Sequence, residues 1–323
     1  MTQTAVQISK TFNLIGEFNN CERIIIRNSD DLSKKLNVIR SMGKENLSIY
    51  SDFDYTLTIN NIEGKNADST FSVLSHSELV SEKYRKELKN LYLKYSPLEK
   101  STTISDEQKQ IYMNTWWKEA QILIIQEKLD KSKIRNAIRN SSLKFRNGII
   151  EFIKSCSNFS IPLYIVSAGL GSIIKESIEM IWNQLNINEK SFIKYVFSED
   201  LYNKEGILYD FLEPLVTSQN KNEILKAKCQ SVRPNAIIIG DLIVDQTMVK
   251  DLNLTNKLSI GYYNSIENDP HLLENYCKSF DIVITNEGNL SSINYLLNKI
   301  FEPNTSSEGI CPQSKEIFDS LFQ

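Results

Sequence analysis

Five short apolar runs, each set between helical patterns, constrain the fold of this chain more than any other feature. They are LSIYSDF (Leu47 to Phe53), PLYIVSA (Pro162 to Ala168), NAIIIGD (Asn235 to Asp241), KLSIGYY (Lys257 to Tyr263) and DIVITN (Asp281 to Asn286). Apolar strands that lack regular alternation and are separated by helices imply a parallel sheet covered on both faces. Helices are expected over Ser29 to Met42, with Leu32, Leu36 and Ile39 on one face, over Asn147 to Cys156, and over Ser172 to Leu185, with Ile174, Ile178 and Ile181 aligned. The expected fold class is therefore α/β, with a Rossmann-like parallel-sheet core.

One stretch breaks the alternation. Residues 59–142 are rich in Lys, Glu, Leu and Tyr, and their apolar spacing is helical, as in SELVSEKYRKELKNLYLKY and in YMNTWWKEAQILIIQ. No strand is expected there. The segment reads as a helical-bundle cap inserted after the first catalytic strand. Residues 1–58 and 143–323 then form the core, and the polar tail after about residue 303 is expected to be loose or peripheral. A chain of 323 residues suits a core with a smaller inserted unit.

In open α/β sheets, ligands bind outside the carboxyl ends of the strands. Three runs end there in chemistry-bearing residues: Asp52 and Asp54 after the first, Ser167, Ala168 and Gly169 after the second, and Asp241 with Asp245 after the third. Residues two apart in an extended chain point to the same side, so Asp52 and Asp54 can face one ligand. Four carboxylates around one point repel unless a cation sits among them, and hard oxygen ligands select Mg²⁺. Two histidines and no clustered cysteine argue against zinc. The run TSQNKNEILKAK suggests a helix starting near Ser218 with Lys221 in its first turn, a good phosphate site. The division of labour follows. Asp52 is the nucleophile, Asp54 the acid/base, and Lys221 neutralises the transferring group.

Composition narrows the rest. A formal net charge of −3 gives no basic surface for nucleic acid or an anionic membrane. Five cysteines without a Cys-x-x-Cys pair suit reduced thiols. No leader pattern and no apolar run near the length of a bilayer span is found. A cytoplasmic protein, monomeric or weakly oligomeric, is expected.

The motifs DFDYT, VSAG, QNKNE and GDLIVD, in that order, resemble those of the haloacid-dehalogenase-like phosphatases. From about Arg23 to Phe301 the chain is also similar to the cytosolic pyrimidine 5′-nucleotidase family (type III), including its 7-methylguanosine-preferring branch. The segments KYSPLE and YMNTWW match that family's cap. The resemblance implies hydrolysis of nucleoside 5′-monophosphates with Mg²⁺, and in some members phosphate transfer to another nucleoside. It implies Asp52, the main-chain oxygen of Asp54 and Asp241 as metal ligands, and Ser167, Ala168 and Lys221 as phosphate ligands. Glu99 matches the residue that reads the base and Trp117 the aromatic that stacks on it, with Trp116 read as core. Phe71 stands where the family often has histidine. Asp245 is read as orienting Lys221 or the metal's waters. Two departures stand out: GDLIVD replaces the family's GDSxGD, and Ala120 replaces a serine. Two other readings fit these residues, a phosphatase acting on another small phosphomonoester and a nucleotide-binding homologue with impaired catalysis.

Overall fold

The structure is a computed structural model and describes residues 13–14, 23–101, 103–185, 187, 190–229, 231–265, 269–302 and 310–322. Its elements run in chain order from β1 (Asn13–Leu14) and β2 (Ile24–Ile26) to α1 (Ser29–Met42) and β3 (Leu47–Ser51). A short hairpin, β4 (Asn61–Ile62) and β5 (Lys65–Asn66), precedes four helices: α2 (Thr70–Ser75), α3 (Glu82–Lys100), α4 (Asp106–Gln126) and α5 (Lys131–Asn140). Then come α6 (Ile149–Asn158), β6 (Leu163–Val166), α7 (Gly171–Leu185), β7 (Ile193–Val196), β8 (Asp200–Tyr202), β9 (Leu208–Phe211) and α8 (Lys221–Lys228). The chain continues through β10 (Asn235–Gly240), a 3₁₀ turn at Ile243–Thr247, β11 (Asn256–Tyr263), α9 (Pro270–Ser279), β12 (Ile282–Thr285), α10 (Leu290–Phe301) and α11 (Pro312–Ser320).

The main sheet has the order β1-β2-β12-β11-β10-β3-β6-β7. From β12 to β7 every pairing is parallel, and β2 joins the edge of β12 antiparallel. Both faces are buried, as the unbroken apolar runs predict. Leu47, Ile49, Ile237 and Ile239 pack with Leu36, Phe152 and Ile174 on one face. Tyr50, Ala236 and Ile238 pack with Ile224, Leu225 and Met248 on the other.

The topology decides where a site can form. From β3 the chain winds outward through β6 and β7, then returns to lay β10 on the opposite side of β3. The order reverses between β3 and β10, and a crevice opens at such a switch point. Their register places Ser51 beside Ile239, and the Asp52 amide donates to the Ile239 carbonyl at 2.9 Å. The acidic ends of two strands are thereby held side by side.

The helices α2–α5 begin at ordinary side-chain caps, with Ser81 accepting from the Tyr84 amide and Asp130 from the Lys133 amide. The chain enters and leaves this helical region through adjacent segments. Thr58 bridges Phe145, and the Ile59 amide donates to the Lys144 carbonyl at 3.0 Å. Nearby, Asp68 accepts from the Ser142 amide and hydroxyl and lies 2.6 Å from His76 Nδ1, although the His76 ring is otherwise exposed.

Two expectations need correction. The region 59–142 does hold strand, the hairpin β4–β5, too short to leave a pattern in sequence. The tail is also not loose where it is described. α11 docks on the core with Ile317 3% and Phe318 1% exposed, and Asp319 accepts from the Tyr295 hydroxyl and pairs with Lys299. Ile317, Phe318, Leu321 and Phe322 stand at i, i+1, i+4 and i+5, a helical spacing that the polar composition of the rest of the tail masks. Residues 303–309 lie outside the described set.

Candidate active site

The carboxyl ends of β3 and β10 deliver Asp52 and Asp241, and the turn after β10 adds Asp245. Carboxylate oxygens of all three lie within 4.8 Å of one another. Lys221, the first residue of α8, reaches into this group. Its Nζ stands 3.0 Å from Asp52 Oδ2 and 2.7 Å from Asp245 Oδ1, and its side chain is buried. Asp245 is saturated on its other oxygen, where Oδ2 accepts from the amides of Asp241 and Leu242. GDLIVD thus closes into a tight turn around Asp245 without the family's serine and glycine. Gly240 makes this possible, because a Cβ there would fall 2.3 Å from Asp245 Cβ.

Asp52 Oδ1 accepts from the Phe53 amide at 2.7 Å. The loop that follows folds over the Phe53 carbonyl, which accepts from the amides of Thr56, Leu57 and Thr58. The carbonyls of Tyr55, Thr56 and Leu57 are each bonded too, while none of these bonds uses the carbonyl of Asp54. Thr56, the threonine of DFDYT, is fully buried, and its hydroxyl lies 3.5 Å from Asp241 Oδ1.

Asp54 is held by a residue that sequence reasoning missed. Thr70, the first residue of α2, donates its amide to Oδ1 at 2.8 Å and its hydroxyl to Oδ2 at 2.6 Å. The Thr70 oxygen in turn accepts from the Leu170 amide at 3.2 Å. The first helix after the β4–β5 hairpin is therefore tied to Asp54 and to the turn after β6. In that turn Ser167 is buried, but its Oγ accepts from the Gly169 amide at 3.0 Å. The Gly169 amide thus turns inward, and that of Ala168 is in none of these bonds.

Charge explains the ionisation of the group. Burial pushes the Asp52 carboxyl up to about 7, against Lys221, which lowers it, while Asp245 raises it further. Burial likewise raises Asp54 to about 6, opposed by the two hydrogen bonds from Thr70. Asp241 is driven well above the usual carboxylate range by burial and by its neighbours Asp245 and Asp52. Burial would lower the Lys221 ammonium, but Asp245 and Asp52 override it and hold it above its ordinary value. One ammonium does not offset three buried carboxylates. An oxygen-only donor set with surplus negative charge is what a hard divalent cation fits.

The residues expected from the helical region approach unequally. The Glu99 carboxylate accepts from the Ser218 hydroxyl at 2.7 Å, so α3 touches the loop that leads into Lys221. Trp116 is buried against Tyr95, as expected for a core residue. Trp117 and Phe71 do meet, but not as two open faces. Their rings stack on each other with centroids 4.6 Å apart and planes 11° apart. Nothing of a base's thickness fits between them in this arrangement, because apolar side chains at that spacing are in contact.

Residues 55–301 match the family model of pyrimidine 5′-nucleotidase (UMPH-1). The human 7-methylguanosine phosphate-specific 5′-nucleotidase is 30% identical over 286 residues, covering 86% of this chain and 92% of its own. The Drosophila melanogaster protein of the same name is 27% identical over 284 residues, covering 85% of this chain and 86% of its own. Among solved structures, cytosolic 5′-nucleotidase IIIB bound to cytidine superposes with a TM-score of 0.72 at 25% identity, covering 86% of this chain and 93% of that one. Among the described residues no helix is long and apolar enough to cross a membrane.

Proposed function

The chain belongs to the pyrimidine 5′-nucleotidase family, and from that premise we propose that it hydrolyses nucleoside 5′-monophosphates with Mg²⁺ through an aspartyl-phosphate on Asp52. The observation that carries this reading is the buried group of Asp52, Asp241 and Asp245 closed by Lys221 at the switch point of the sheet. In the first step Asp52 attacks phosphorus and the bond to the nucleoside 5′-oxygen breaks. Asp54 gives its proton to that oxygen, a role suited to a carboxyl raised to about 6. In the second step Asp54 takes a proton from the water that cleaves the aspartyl-phosphate. Asp52, Asp241 and the main-chain oxygen of Asp54 would hold the Mg²⁺, which when bound would supply positive charge against the transferring phosphoryl group. Lys221, Ser167 and the Ala168 amide hold the phosphate.

Residues 59–142 act as the cap, and residues 1–58 with 143–323 as the catalytic core. The cap brings Glu99, Trp117 and Phe71 to the base. The indole of Trp117 suits 7-methylguanine as well as pyrimidines, since a cationic base gains ~0.5–2 kcal/mol on an aromatic face. The name of the human relative favours the methylated base, and the cytidine in the solved structure favours pyrimidines. The test is kcat/KM for UMP, CMP and 7-methylguanosine monophosphate side by side, with Mg²⁺ and with chelator. Asp52→Asn should abolish phosphate release from all three, and near-full activity in that variant would reject the mechanism. Trp117→Tyr should shift preference toward the pyrimidines, and an unchanged ratio removes Trp117 from base selection.

A further inference from the structure

Arg146 is fully buried and lies outside the machinery described so far. It stands just beyond the Thr58–Phe145 bridge, where the chain returns from the helical region. Its guanidinium spends all five donors. Nε donates to the Thr56 carbonyl at 2.8 Å, and Nη2 to the Tyr55 carbonyl at 2.7 Å and Asn264 Oδ1 at 2.8 Å. Nη1 donates to the Gly288 carbonyl at 2.9 Å and to Glu287 Oε2 at 3.5 Å. Its own amide donates to the Leu57 carbonyl at 2.9 Å. Three successive carbonyls of the loop that follows Asp52 are therefore bonded to one residue. Asn264 supports the same point by donating Nδ2 to the Tyr55 carbonyl at 2.8 Å. The guanidinium lies 3.9 Å over the Tyr262 ring, which fixes its plane.

The loop needs such holding. Tyr55 has φ +58°, a left-handed conformation that a bulky residue adopts only when its surroundings impose it. A buried guanidinium bonded mainly to neutral oxygens is itself costly, and its donors are satisfied only if the loop keeps this path. We infer that Arg146 is a positioning residue, which clamps the Tyr55–Leu57 carbonyls from the segment returning from the helical region and so fixes the loop that carries Asp52 and Asp54. The inference rests on the proposed role of Asp52 and adds a residue to it. Arginine suits the task because its planar fork reaches two consecutive carbonyls at once, whereas lysine offers donors from a single point.

The experiment compares Arg146→Met, Arg146→Lys and Asn264→Ala with the wild-type enzyme in steady-state hydrolysis of nucleoside monophosphates. Folding is checked by circular dichroism and thermal melts. Arg146→Met should lose about a hundredfold in kcat with KM changed by less than about twofold, because the nucleophile is misplaced while base and phosphate contacts remain. Arg146→Lys should recover part of kcat, and Asn264→Ala should lower kcat at constant KM. A folded Arg146→Met with wild-type kcat, or with a change in KM alone, overturns the inference. If Arg146→Met does not fold, the other two variants decide: lowered kcat at constant KM in both supports the clamp, and wild-type kcat in either overturns it. Asp52→Asn is run alongside. Activity in that variant would reject the proposed nucleophile, whereas an inactive Asp52→Asn beside a fully active Arg146→Met would reject only the clamp.

Discussion

Gly169 marks how little room the site leaves around single atoms. A Cβ at this position would lie 2.4 Å from Thr70 Oγ1 and 2.9 Å from Asp54 Oδ2. Gly169→Ala should therefore push Thr70 away from Asp54 and lower kcat about a hundredfold, as expected when a reacting group shifts by an ångström. Steady-state kinetics checks this, and a wild-type kcat would show that the Thr70 hydroxyl has room to move. Residues of this kind divide into those legible in sequence and those not. Asp52, Asp241 and Lys221 end strands or open a helix, so their neighbourhood in space follows from the order of elements. Thr70 and Asn264 reach the same loop across separations of 16 and 209 residues, and no local period announces them. Thr56 does carry a local signal, as the last residue of DFDYT.

At the scale of elements, apolar runs without alternation were enough to anticipate the parallel sheet, because both of its faces are covered. They did not anticipate the antiparallel strand β2 at its edge, where three isoleucines carry no direction. Nor did they anticipate α11. Its attachment depends on Phe318, which is 1% exposed and packs into the core that also holds Tyr295 and Leu296. Phe318→Ala should cost about 3–5 kcal/mol in denaturant unfolding, the usual range for removing a buried phenyl ring. A loss below about 1 kcal/mol would mean that α11 detaches without disturbing what lies beneath it. α11 packs on α10, and none of the contacts described for it involves Asp52, Asp241 or Lys221, so kcat per folded molecule should not change.

For the whole molecule, the buried carboxylates link folding to pH and to metal. Asp52 rises from 3.8 to about 7 on folding, and Asp54 from 3.8 to about 6, each through burial. An acid with a raised native pKa binds its proton more tightly folded than unfolded. The unfolded chain then holds fewer protons between these values, so stability is highest below about 4 with respect to these groups and falls as pH rises toward about 7. Metal-free protein should follow that slope. A divalent cation, Mg²⁺ on the proposed reading, would bind the ionised form and oppose it, adding about 2.7 kcal/mol at a hundred times its Kd near neutral pH and much less near pH 4.5. Thermal melts at both pH values, with and without Mg²⁺, check this, and a metal effect of equal size at both would place the cation elsewhere.

With Trp117 as the proposed platform for the base, its stacking on Phe71 would give the molecule a competitor of its own. A base that takes the covered face of the indole must displace a phenyl ring tethered a few ångströms away, which no dilution removes. Occupancy then reflects the difference between two stacking energies rather than the size of one. On that proposal a weakly stacking base would meet a threshold set by the chain itself and a strongly stacking one would pass it, so discrimination among nucleotides would begin before any hydrogen bond to the base is made.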